Sequence, residues 1–243
     1  EQPHRVEVIQ VDGDYLFDAF QGVLNYGAYW DDFPETILVG ITQNKTGNYA
    51  DALRNFSIEI EKNIANPNPI SFYNRGFAKY NLKDFRGAIL DFDKAIELKP
   101  TYFEAFIARG QSYSMQDNHK VAMNDYNEAI RLNPLEATAY FSRGISKMKL
   151  QNFRGGLSDF NKSLELNPEY APGLASRGES KVKLGDYKGS LEDFDKAITI
   201  NPKRANYYSS RAYSKLKLGE FATALKDYAE AIKLSPDNPD DYY

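Results

Sequence analysis

Serine-based catalysis needs a Ser, a His and an acid that meet in the fold, and this chain offers two histidines, His4 and His119. No G-x-S-x-G nucleophile elbow occurs. The shorter triplet G-x-S recurs at Ser112, Ser146 and Ser180, 34 residues apart and inside a helical pattern, which marks packing positions rather than nucleophiles. His119 falls where Phe85, Phe153, Tyr187 and Phe221 stand in equivalent stretches, so it too reads as packing. The absence of Cys removes disulfides and thiolate metal ligands. With neither clustered His nor a Gly-rich phosphate loop, no metal, nucleotide or redox cofactor is expected. The chain as given leans away from enzymes.

Charged residues show more order. Arg75, Arg109, Arg143, Arg177 and Arg211 each stand 16 residues before an acid: Asp91, Asp125, Asp159, Asp193 and Asp227. The spacing puts each pair on opposing helices of one hairpin. A ligand site rarely repeats five times unchanged, so these read as structural ion pairs that set register. Lys149, Lys183 and Lys217 recur at the same 34-residue period, either as solvated surface lysines or as a basic stretch that attracts acidic side chains. A net charge of −4 lacks the basic excess that phosphate neutralisation needs, so nucleic acid is not expected as the main partner.

The elements that carry these residues repeat. Pro100, Pro134, Pro168, Pro202 and Pro236 are 34 apart without an insertion, and Gly76, Gly110, Gly144 and Gly178 keep step, with Ala212 in the fifth place. Each unit holds two helical patterns, such as Ser71 to Leu82 and Phe85 to Leu98, separated by a Lys83-Asp84 turn. The small series Ala88, Ala122, Gly156, Ser190 and Ala224 marks close helix approach, and the aromatic series Phe92, Tyr126, Phe160, Phe194 and Tyr228 fills the space beyond. One unit cannot bury its own apolar face, so stacking must supply the core.

Phe72-Tyr-Asn-Arg-Gly76 with Ala88, Phe92, Ala95 and Pro100, repeated through five units from 69 to 238, resembles the tetratricopeptide repeat family. The resemblance implies a mainly α fold, a right-handed superhelical array of helix hairpins. Gly47 to Leu53 with Phe56 looks like the second helix of a further unit, two residues out of phase, so the array is placed at 47–243: a half repeat, five full repeats and the start of a sixth at Pro239. No capping element is visible there, which suggests that this end packs on another subunit or that the protein continues.

Partner binding in that family generally uses the concave face, lined by first helices. The helix face away from the Gly and Arg positions carries Tyr73, Phe77 and Tyr80, then Ile107, Gln111 and Met115, then Phe141, Ile145 and Met148. Such an apolar, aromatic strip suits an extended or helical peptide, unless neighbouring helices cover it. Lys149, Lys183 and Lys217 would form its basic second half. The family's chaperone-tail clamp of Lys, Asn and Arg is not expected, because Tyr73 and Phe77 hold the corresponding first-repeat positions.

Residues 1–46 read differently. Val6 to Val11 is strand-like, Tyr15 to Tyr26 suits an amphipathic helix, and Thr36 to Ile41 is a second apolar strand, a short and incomplete α/β (βαβ) segment before the array. The runs Val11 to Asp18 and Pro34 to Ile41 resemble the opening of an enterochelin-esterase-like α/β-hydrolase, which would put Asp12 and Gly13 near an oxyanion hole. The chain starts at Glu1 rather than Met, so an upstream signal peptide is one reading, and the phase slip near 44–48 is where a join between separated stretches would fall.

The leading expectation is a scaffold that binds a peptide or protein segment in the concave groove. One alternative is a hydrolase whose catalytic part is missing from this chain, with the repeats as a docking unit. The other is a structural subunit of a larger envelope complex. For the protein as a whole the location is left open, with an extracytoplasmic bacterial one favoured. No run of 18 apolar residues is present to span a membrane.

Overall fold

The computed structural model describes residues 34–236, which form twelve helices and no strand. They pair into six hairpins: α1 (Glu35–Lys45) with α2 (Tyr49–Lys62), α3 (Pro69–Asn81) with α4 (Phe85–Leu98), α5 (Phe103–Ser114) with α6 (His119–Leu132), α7 (Ala137–Lys149) with α8 (Phe153–Leu166), α9 (Ala171–Lys183) with α10 (Tyr187–Ile200), and α11 (Ala205–Lys217) with α12 (Phe221–Leu234). Each helix packs mainly on its hairpin partner and then on the next helix in the chain, so the molecule is a stack of local contacts.

The hairpins form because the sequence satisfies both sides of each turn. The turn residue is left-handed in every hairpin: Gly47, Lys83, Asp117, Gln151, Gly185 and Gly219 have φ between 58° and 84°. That conformation lets the following N–H reach back across the end of the first helix, as Asp84 does to the Lys79 carbonyl at 2.9 Å and Asn152 to that of Lys147 at 2.8 Å. The same residues then cap the second helix: Asp84, Asn152 and Asp186 accept from the N–H groups of Gly87, Gly155 and Gly189.

One aromatic per hairpin sits at the centre. Phe56, Phe92, Tyr126, Phe160 and Phe194 are at most 1% exposed, and each ring lies against a first-helix glycine: Gly40, Gly76, Gly110, Gly144 and Gly178. Burying such a ring contributes roughly 2–3 kcal/mol. The last hairpin departs from this, with Ala212 in the glycine place and Tyr228 only half-buried. Phe221, Leu225 and Ile232 on α12 are also exposed, although their counterparts within the stack are half-buried or buried.

The start of the array corrects the sequence reading. Thr36 to Ile41, read as a strand, lies within helix α1, with Ile37, Gly40, Ile41 and Asn44 buried on one face at helical spacing. The β-branched composition suggested a strand, but Gly40 packs on Phe56 as Gly76 does on Phe92, and tertiary packing decides. Among the described residues the first hairpin is therefore whole, from Glu35, where the sequence reading placed a half repeat from Gly47, and 36–41 is helix rather than a hydrolase strand. The two-residue phase slip falls in the loop 63–68, six residues where the next inter-repeat loop, 99–102, has four. The turn at 46–48 is an ordinary member of the series. Val6–Val11, Tyr15–Tyr26, Asp12, Gly13, His4 and Pro239–Tyr243 lie outside the described residues.

Candidate functional site: a groove along the first helices

A groove of about 550 Å³ runs along the inner side of α3, α5 and α7. Tyr73, Phe77, Tyr80, Ile107, Gln111, Met115, Phe141 and Ile145 all line it. They differ in what they can offer. Tyr73 and Ile107 are 5% and 7% exposed, and Tyr73 packs on Phe92 and Tyr102 with ring centroids 5.8 and 5.0 Å apart, so both chiefly build the wall. Phe77, Tyr80, Phe141 and Ile145 are half-buried, and Met115 is 55% exposed. Gln111 donates to the Ser142 hydroxyl at 3.4 Å, which ties adjacent repeats at the groove floor.

Met148 is not part of this groove. Ser180 donates to its sulfur at 3.1 Å and its Cγ approaches Gly156, so the side chain fills the junction between hairpins. Lys149, Lys183 and Lys217 are exposed at the ends of α7, α9 and α11, beyond the cavity but in register with Asn81 and Met115, which line it. Sequence reasoning missed Tyr49, Tyr170 and Glu136 on its rim. The signal for the last two was the period, because Tyr102, Glu136 and Tyr170 are 34 residues apart just before a first helix. Tyr49 comes from the hairpin that was read as half missing, and its ring stands 6.3 Å from that of Phe77.

The groove changes chemistry along its length. The positions Phe77, Gln111 and Ile145 continue as Glu179 and Tyr213, and Tyr73, Ile107 and Phe141 continue as Ala175 and Ser209. Glu179 is exposed, yet partial desolvation by its neighbours raises its carboxyl above the ordinary range, against the pull of Lys183 and Lys149.

Behind the groove the arginines hold the hairpins in register. Arg75, Arg109, Arg143, Arg177 and Arg211 donate to Asp91, Asp125, Asp159, Asp193 and Asp227 at 2.5–2.7 Å, and each of these carboxylates is buried. Four of the arginines also reach backward with Nη1 to the preceding hairpin: Arg109 to Asp93, Arg143 to Asn127, Arg177 to Asn161 and Arg211 to Asp195. A second cation completes four of the five sites, where Lys79, Lys147, Lys181 and Lys215 stand 2.7–2.8 Å from the same aspartates. Tyr113 holds that place beside Asp125. Burial consequently raises the Asp125 carboxyl despite the Arg109 hydrogen bond, whereas at Asp227 the bonds from Arg211 and Lys215 outweigh burial and hold the carboxyl low.

The residues considered for catalysis are tied up in packing. Ser112 and Ser180 are fully buried and donate to the carbonyls of Ala108 and Ser176 at 2.9 Å, and Ser146 is paired with the Ser114 hydroxyl at 3.1 Å. The His119 side chain is 11% exposed, its Nε2 3.7 Å from Asp117. Among the described residues no group of His, Asp or Glu is placed to hold a metal ion, and no helix is long and apolar enough to cross a membrane.

Tetratricopeptide repeat families match residues 69–102, 103–134 and 175–239, together more than half of the chain. The chain belongs to the tetratricopeptide repeat family. Among solved structures it is similar to MamA, with 22% identity, a TM-score of 0.61, and 66% of this chain and 94% of that one covered. It is also similar to YrrB, described as a tetratricopeptide repeat protein with an unusual peptide-binding site: 21% identity, TM-score 0.61, covering 75% and 93%. A chain of the APC/C hetero-tetramer Cut9–Hcn1 is matched at 15% identity and a TM-score of 0.75 over 92% of this chain and 45% of that one. At these identities the likeness speaks to fold. No curated protein matches significantly.

Proposed function

We propose that the protein is a non-catalytic scaffold that holds a peptide or protein segment in the groove along α3, α5 and α7. The observation that carries this reading is the accessible apolar surface of Phe77, Met115, Phe141 and Ile145 inside a concavity of about 550 Å³, where aromatic and Met side chains offer a partner large apolar contact area. The peptide-binding site named for YrrB, a protein of the same fold, agrees with it.

The reading is tested by panning a displayed random peptide library on the protein and measuring the recovered peptides in solution. Met115→Asp, inside the groove, should weaken them at least tenfold, while Leu90→Asp, exposed on α4 and outside the groove lining, should not. Equal loss from both substitutions sinks the proposal.

A further inference from the structure

The two halves of the first-helix face ask for two kinds of chemistry in one partner. Over α3, α5 and α7 the accessible side chains include Phe77, Tyr80, Met115, Phe141 and Ile145. The register positions that line the groove as Asn81 and Met115 become Lys149, Lys183 and Lys217 in the following hairpins, all three exposed. Among the described residues no carboxylate oxygen comes within 4.0 Å of these three amines, whereas Lys147, Lys181 and Lys215, two residues earlier on the same helices, are each paired with a buried aspartate. Glu179 interacts electrostatically with Lys183 and Lys149 together, one carboxylate facing two of the three lysines. The Lys217 amine lies 5.1 Å from the Tyr213 ring, which holds it on the same helix face as the groove positions that Tyr213 continues.

Spacing then limits the partner. Successive first helices touch, so their axes stand roughly 8–10 Å apart. A chain extended in the polyproline II form advances about 3.1 Å per residue with three residues per turn, which returns a side chain to the lysine side about every third residue. A helical segment, rising about 1.5 Å per residue, would need about six or seven.

Resting on the groove reading above, we propose that the bound segment is extended and bipartite, with an apolar block over α3, α5 and α7 and carboxylates at every third residue over Lys149, Lys183 and Lys217. The apolar block supplies contact area, and the acidic spacing fixes direction and register.

The test uses fluorescence anisotropy of labelled synthetic peptides with the whole protein. One peptide carries an apolar block and three aspartates at every third residue, made in both chain orders. Companion peptides have asparagine for aspartate, aspartates at every seventh residue, or the acidic block alone. The proposal expects the first peptide, in one order, to bind at least tenfold more tightly than all three companions. It also expects that preference to vanish in a Lys149→Ser, Lys183→Ser, Lys217→Ser variant whose circular dichroism is unchanged. Equal binding of the aspartate and asparagine peptides overturns the acidic half and leaves the groove reading standing. A better fit at every seventh residue overturns the extended form, and equal binding of the acidic block alone overturns the bipartite form. Failure of every peptide, the panned ones included, overturns the groove reading and this proposal together.

Discussion

Gly144 on α7 lies so close to the ring of Phe160 on α8 that a Cβ on the glycine would come within 2.7 Å of the ring. The contact joins two backbones through one fully buried aromatic, and it recurs in the hairpins on either side at Gly110 with Tyr126 and Gly178 with Phe194. Alanine there gains about 1 kcal/mol in helix propensity but overpacks a closed core, at about 1–3 kcal/mol. Gly144→Ala should therefore lower the urea midpoint. A rise in midpoint would mean that the ring moves aside easily.

Asp125 is the one aspartate of its series without a lysine partner, because Tyr113 stands in the lysine place. Removing Arg109 leaves a buried carboxylate alone, which costs about 3 kcal/mol or more. Arg177→Met should cost distinctly less, since Lys181 remains 2.7 Å from Asp193. Adding Tyr113→Lys to Arg109→Met should recover part of the loss, about 1 kcal/mol or less. Chemical denaturation of the three variants reads these differences, and equal losses for the two arginines would refute them.

The same contrast sets opposite pH dependences. Asp227 is held low, so its contribution is present above the ordinary aspartate range and is lost as pH falls through its folded value. Asp125 is raised, so the folded state binds its proton more readily than the unfolded chain, and its contribution falls as pH rises through the carboxylate range. Stability measured across acidic pH should rise less steeply with pH in Asp227→Asn than in the parent protein, and more steeply in Asp125→Asn.

Gln151 takes the left-handed turn conformation, φ 60°, that Gly185 and Gly219 supply in the following hairpins. A side chain there costs about 1 kcal/mol. Gln151→Gly should raise the melting temperature by a few degrees, offset in part by the freer unfolded chain. No gain at all would show that the offset is complete.

The repeats from Pro69 onward were legible because one spacing recurs in prolines, glycines, aromatics and ion pairs at once. Helix α1 was not, because Thr36-Ile37-Leu38-Val39 reads as strand by composition and the six-residue loop 63–68 shifts the period by two. The separation of 16 between Gly40 and Phe56, the same as between Gly76 and Phe92, was the readable signal. The groove was legible as a face but not in depth. Helical spacing cannot tell that Tyr73 and Ile107 end up as wall, or that Met148 turns into the next junction, since both depend on how far the neighbouring hairpin leans in.

The backward reach of the arginines also governs how the chain tolerates editing. Arg177 finds its own Asp193 and, in the hairpin before it, Asn161, and the residue one unit earlier is Asn127, chemically identical. Excising residues 135–168, one whole 34-residue unit, would therefore hand Arg177 the same partners it has now. An excision out of step with the period would break the brace, much as the longer loop 63–68 precedes the one arginine of the five, Arg75, whose hydrogen bonds go to its own hairpin alone. Length is thus a quantity this molecule can change in whole units without renegotiating its joints.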